Sequence, residues 1–232
     1  MSLAYRSGSF VSAGNASGGN LTLTKPTGTV DGDRVVISVY FEPAGTTITV
    51  SGGPWESVTI DNTGAFRLQT FTKIASSEPA SYTISNSTAG DQWRSACGVA
   101  YSGGSGSGTL IDATGTGTAQ GDGVLVGSQT APSIDPTSTD TMVVFGYGNY
   151  SGTDVTSTTG FCTNFRGSIG GCVIADAVNA TGAATGTSRP SGGPGTEDYA
   201  ALHMAIIADI AGAAATSQPI FPARMPAAIL AR

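Results

Sequence analysis

Short runs of β-branched and aromatic residues recur along the chain, each closed by Gly, Pro, Asn or Asp. The first strong run is RVVISVYF (34–41), preceded by the turn-forming VDGD. TTITVSG (46–52) alternates and puts Ile48 and Val50 on one face. FRLQTFTKI (66–74) alternates too, with Phe66, Leu68 and Thr70 against Arg67, Gln69 and Phe71. SYTIS (81–85) and WRSACGVAYSG (93–103) follow. Period-two runs with punctuated ends predict strands. No stretch before residue 205 carries the 3.6-residue period of a helix, so the pattern predicts an all-β fold.

The pattern then returns. DTMVVFGYG (140–148), TDVTSTTGFCTN (153–164), GCVIADAV (171–178) and YAALHMAIIA (199–208) follow the earlier runs in the same order. The offset is about 106 residues for most pairs, a period that signals an internal repeat. Two related halves, about 1–104 and 122–210, are expected to interleave as one two-sheet sandwich over residues 1–210. Between them, SGGSGSGTLIDATGTGTAQGDG (102–123) is expected to be a Gly/Ser-rich loop crossing the end of that sandwich. Neither half alone has enough strands to cover both faces of a sheet.

Composition narrows the function classes. The chain has 232 residues, 34 of them Gly, and 39% are hydrophobic, enough to build a core. The net charge is −6 and the ten Lys and Arg are dispersed, which argues against nucleic acid as a partner. No window reaches the run of about 18 apolar residues that a membrane helix needs, so no membrane partner is expected. MSLAYRSGSFVSAG lacks the apolar centre of a signal peptide, so synthesis in a cytoplasm is expected, with any export not using an obvious signal. Cys97, Cys162 and Cys172 show no C-x-x-C spacing, and their apolar contexts predict buried small hydrophobes. Cys162 and Cys172 form a bridge only if their strands pair and the compartment is oxidising.

Candidate chemistry is sparse. His203 alternates with Ala201, Ala205 and Ile207 and reads as a strand residue at a sheet edge or interface rather than a base. No nucleophile elbow, H-E-x-x-H or P-loop is present. Asp31 with Asp33 and Glu197 with Asp198 are the adjacent carboxylate pairs a glycosidase search would test. DGD ahead of a strand is better explained as a turn. Asp112, Asp122 and Asp135 match no EF-hand spacing. The expectation is therefore no catalytic residue, no metal and no cofactor. Among the aromatics, Trp55 reads as the start of a strand packing across the sandwich, and Phe161 lies beside a loop. Tyr147 and Tyr150, in GYGNYSG, are the candidate glycan-contacting residues, because sugar binding needs exposed aromatic faces with polar neighbours.

One stretch carries a family resemblance. LTLTKPTGTVDGDRVVISVYF, GGPWESV, FRLQTFTKIASSEPASYTISN and WRSACGVAYSG run in that order over about residues 21–103. This resembles structural proteins of tailed-bacteriophage virions, whose usual run is a Pro-Gly turn, GD before an apolar strand, Gly-Trp, K-A-x-x-x-E-P-x-x-Y and a closing Y-x-G. The matching positions are Pro26, Gly28, Gly32, Asp33, Trp55, Lys73, Ala75, Glu78, Pro79, Tyr82, Tyr101 and Gly103. Here a proline intervenes, giving GGPW in place of GW, and residues after 103 match only loosely. The resemblance implies a jelly-roll-like β-sandwich and a non-enzymatic virion component. It would decorate the head or attach to it; a minor tail or fibre role, or a carbohydrate-binding module contacting host glycans, is the alternative. Its partners would be major capsid or tail subunits and further copies of itself.

The last stretch, SQPIFPARMPAAILAR, suits such a role. Pro219, Pro222 and Pro226 each remove a backbone donor and hold the preceding residue extended. Ile220, Phe221, Met225, Ile229 and Leu230 are costly to leave in water, and burying five such side chains is worth on the order of 7–15 kcal/mol before ordering costs. Residues 211–232 are therefore expected to form an extended C-terminal arm that docks on a neighbouring subunit, with Arg224 and Arg232 meeting carboxylates; folding back along its own sandwich is the alternative.

Overall fold

The computed structural model describes residues 3–17, 19–42, 47–62, 66–87, 91–104, 109–114, 117–120, 129–149, 154–191 and 199–207. Every regular element among them is a strand. The N-terminal set comprises β1 (Ala4–Ser17), β2 (Leu21–Thr24), β3 (Arg34–Phe41), β4 (Ile48–Val50), β5 (Glu56–Asn62), β6 (Phe66–Ile74), β7 (Ser81–Asn86) and β8 (Asp91–Ser102). The C-terminal set comprises β9 (Ile111–Thr114), β10 (Thr118–Gln120), β11 (Thr141–Asn149), β12 (Ser157–Gly160), β13 (Asn164–Ile169), β14 (Cys172–Asn179), β15 (Ser188–Ser191) and β16 (Tyr199–Ile206).

Pairing in the N-terminal set is nested and antiparallel: β1 with β8, β2 with β7, β3 with β6. This is the rolled-up hairpin of a jelly roll. It yields a five-stranded sheet ordered β1-β8-β3-β6-β5 and a three-stranded sheet ordered β2-β7-β4. The C-terminal set follows a similar scheme, except that β10 pairs β16 rather than β15. Its large sheet runs β10-β16-β11-β14-β13, with β9 also on β16, and its small sheet pairs β12 with β15. An isolated bridge from Ala131 to Ser188 stands where β2 stands in the other set.

Among the described residues no sheet mixes strands of the two sets, so the expected interleaving is corrected. Each set covers one face of its own large sheet with its own small sheet. The second faces of the two large sheets then cover each other. Val36, Tyr40, Leu68 and Val99 from one side meet Met142, Val144, Ile174 and Leu202 from the other in the central core. Odd-numbered β3 residues Val35, Ile37, Val39 and Phe41 point outward onto Leu23, Tyr82 and Ile84 of the small sheet. On the far side, Val143, Phe145 and Tyr147 of β11 pack with Val155, Cys162 and Tyr199. Two covered faces explain why every residue of β3, β11 and β16 is buried and why these runs lack apolar–polar alternation.

The 102–123 stretch is corrected as well: it contributes β9 and β10, which pair β16 at the edge of the second large sheet. All three cysteines are buried and free. Cys172 faces the central core, where its thiol donates to the Ser38 carbonyl at 3.3 Å. Cys162 lies in the outer core and donates to the Val143 carbonyl at 3.4 Å. They sit on opposite faces of one sheet, so they do not pair. Cys97 is the residue that approaches Cys172, donating to its carbonyl across the two sheets at 3.2 Å.

Candidate functional site

Gly52 and Gly53 adopt φ of +95° and +109°, conformations that side chains rarely take. They swing the chain so that Pro54 and Trp55 turn over the ends of β6 and β7. The Trp55 ring then meets Tyr82 at 5.6 Å and Phe71 at 6.4 Å, both edge-on. The Lys73 ammonium stands 5.1 Å from the centre of that ring. Its charge is met by Glu78 Oε1 at 2.7 Å, both side chains being buried, and it also donates to the Gly52 carbonyl. Glu78 accepts further bonds from Ser76 N at 2.8 Å and from the Tyr82 hydroxyl at 2.9 Å. Burial and the hydrogen bond to this carboxylate push the Tyr82 phenol well up.

Beside this cluster opens a cleft of about 470 Å³. β5 begins at Glu56, opposite Thr72, so β6 continues past its end. The step leaves a cleft walled by Gly53, Pro54 and Trp55 on one side and by Lys73, Ile74 and Leu110 on the others. Glu56 lies in it and accepts from Leu110 N at 2.8 Å and Ile111 N at 3.2 Å. Aromatic and apolar walls with one carboxylate suit binding rather than bond making.

A second polar cluster ties the two strand sets together. Asp176, on β14, is fully buried and forms a two-pronged pair with Arg166 at 2.6 and 2.7 Å. It also accepts from the Tyr101 hydroxyl of β8 at 2.8 Å and from Asn164 Nδ2 at 3.2 Å. The Arg166 guanidinium lies 4.0 Å over the Tyr5 ring. Burial, then the Asp176 charge, holds the Tyr101 phenol far above its ordinary value. Sequence reasoning missed this cluster. A charged residue inside the apolar run GCVIADAV was the available signal, because a buried carboxylate needs a partner.

Tyr147 is corrected as a glycan-contacting residue. It lies within β11, fully buried, with its hydroxyl donating to Gln129. Its ring stacks between Phe145 and Tyr199, at 6.2 and 6.3 Å. Tyr150 lies outside the described residues, as do Glu197, Asp198 and Asp122. The whole arm does too, with Pro219, Ile220, Phe221, Pro222, Arg224, Met225, Ile229, Leu230 and Arg232. Trp55 packs against the N-terminal outer core, ahead of β5.

His203 is buried in β16, between β11 on one side and β9 and β10 on the other, and not at an edge. Its Nδ1 lies 2.8 Å from the Pro132 carbonyl, which assigns the proton to Nδ1. Burial lowers its pKa to about 4, against the opposing pull of that bond. Asp31 and Asp33 frame a turn: Asp33 Oδ2 accepts from Val30 N at 2.9 Å, and Asp31 Oδ1 accepts from Ser77 N at 2.7 Å. Asp33 also pairs with Arg6 at 2.8 Å. Asp112 takes hydrogen bonds from the backbone and hydroxyl groups of Thr137 and Ser138, between 2.6 and 3.1 Å. Burial works to raise its pKa, and those bonds outweigh it and lower it. Among the described residues no three His, Cys, Asp or Glu side chains gather as a metal would need.

The chain was compared with protein-family models, curated proteins and solved structures, and none of them matches it.

Proposed function

We propose that this chain is a non-enzymatic structural protein of a tailed-bacteriophage particle, decorating the head or attaching to it. In this reading the arm from residue 211 anchors the β body to neighbouring virion subunits. One observation carries it. Trp55, Lys73, Glu78 and Tyr82, residues of the phage-like run, are dispersed in sequence and converge in one partly buried cluster. Their contacts support reading that run as a linked structural unit. The shared pairing scheme of β1–β8 and β9–β16 supports a body built from two related halves. The Asp31–Asp33 pair and His203, the groups most suggestive of catalysis, are committed to a turn and to a buried strand contact.

Antibody-labelled protein viewed on particles by electron microscopy tests the placement. Label on heads is expected; label on tails would move the protein to the minor tail or fibre class, and unlabelled particles would refute a virion role. Removing residues 217–232 is expected to strip the protein from particles, and unchanged occupancy would refute the anchor.

A further inference from the structure

The cleft and the chain's last described residue adjoin. Ile207 N donates to the Leu110 carbonyl at 2.9 Å, and Leu110 walls the cleft. The Ile207 carbonyl in turn accepts from Arg34 Nε at 3.3 Å. The last described residue thus lies at the cleft's rim. Beyond it the sequence holds Pro219-Ile220-Phe221-Pro222-Ala223-Arg224. Two prolines three positions apart favour the polyproline II conformation, which docks with little loss of entropy. The surfaces that take such segments are aromatic-lined grooves.

The cleft offers this ligand apolar walls and a carboxylate, and the Lys73 ammonium that also lines it is already paired with Glu78. Trp55 and Pro54 form one wall, Ile74 and Leu110 offer apolar contacts, and Glu56 supplies a carboxylate. Two backbone N–H groups occupy part of its capacity, and a carboxylate has about four acceptor positions. In the sequence, Arg224 follows the second proline by two residues and supplies the opposite charge. From residue 211 on, the chain carries Arg224 and Arg232 and no acidic side chain, while the whole molecule has a net charge of −6.

We infer that the Trp55 cleft is the docking site of the chain's own Pro219–Arg224 segment. The same chain is favoured over a second copy by the tether. Residues 208–218 span roughly 36 Å when extended, ample to return to a cleft at their own starting point. A short tether gives an effective concentration in the millimolar range, well above that of a second molecule in dilute solution, and closing such a loop costs little more than closing a shorter one. The arm is then stored on its own body and leaves the cleft when a neighbouring subunit takes it. This goes beyond the virion reading and stands whichever partner finally receives the arm.

The molecule's two tryptophans allow a test on the full chain. Trp55 lines the cleft, whereas Trp93 donates from Nε1 to the Gly170 carbonyl at 3.2 Å, away from it. With 5-fluorotryptophan incorporated, Trp93→Phe assigns the two fluorine resonances. Phe221→Ser, a change outside the β body, is expected to move the Trp55 resonance and leave that of Trp93 in place. Trypsin is expected to cleave after Arg224 about tenfold faster in this variant, since cleavage follows the undocked population. Glu56→Gln should speed the same cleavage through loss of the Arg224 contact. An unmoved Trp55 resonance overturns the inference. A Trp55 shift in the unsubstituted chain that grows over a roughly hundredfold range of concentration would assign the cleft to a second copy's arm and overturn it too. Particle occupancy plays no part in these readouts, so failure here leaves the anchor reading standing, and the converse holds.

Discussion

Gly148 shows how closely the two large sheets approach. A Cβ placed on it would lie 2.4 Å from Tyr40 Cδ2, 3.1 Å from Cγ and 3.2 Å from Cβ of the same ring. The severe clash is with the ring carbon Cδ2, and the tight contacts to Cγ and Cβ leave the ring little room to move away. Gly148→Ala is expected to lower stability by about 1–3 kcal/mol in urea denaturation, the usual cost of overpacking. In a Tyr40→Leu background the added cost should fall by at least about half, because the offending ring is gone. An equal cost in both backgrounds would refute this contact as the cause. Glycines inside GYG were legible as a loop signal and misled on Tyr147. In a strand they mark a close backbone approach instead, and the neighbouring tyrosine turns to the opposite face and is buried. Trp55 was read correctly as a packing residue, but its proximity to Lys73, Glu78 and Leu110 depends on strand order, which side-chain types alone do not reveal.

Strands differ in how visible they were. β3, β11 and β16 stood out because both of their faces are covered and their apolar runs are unbroken. β1 is the longest strand, yet its Ser, Gly and Ala content gives almost no apolar pattern. β9 and β10 hide in Gly- and Thr-rich sequence, and β15 contains Pro190, which lowers its apparent strand character. Burial of β16 also sets a pH response. His203 has its pKa lowered to about 4 by burial, against roughly 6.5 in an unfolded chain. Between those values the unfolded state binds the proton and the folded state does not. Stability is therefore fully present above about pH 6.5 and falls as pH drops toward 4, by on the order of 3 kcal/mol. His203→Leu should flatten the stability profile between about pH 5 and 6.5, where few carboxylates titrate. Chemical denaturation at stepped pH measures this, and an unchanged slope in the variant would refute the assignment.

At the scale of the whole molecule, the recurring strand runs were legible in the sequence but their pairing was not. A run of strands shows which faces are apolar, and it does not show whether each set of strands pairs within itself or with the other. Local hairpin closure resolves the choice: nested pairs within β1–β8 and within β9–β16 close shorter loops than mixed pairing would. The consequence is one shared core between two self-paired units. Tyr101 to Asp176, Trp93 to Gly170, Cys97 to Cys172 and Arg34 to Ile207 all cross that boundary. Neither unit can expose its inner face without losing these bonds and the central core together, so one cooperative unfolding transition is expected. Both tryptophans belong to the N-terminal strand set, and because Trp93 also bonds Gly170 of the other set, Trp55 fluorescence in a Trp93→Phe background is the reporter on the N-terminal set. Leu202→Ala, a change in β16 at the centre of the shared core, should cost about 2–5 kcal/mol. It should shift the tryptophan transition and the circular-dichroism transition by the same amount. A tryptophan transition that stays in place while the dichroism signal moves would mean that the two units unfold independently, and the shared core would not be what couples them.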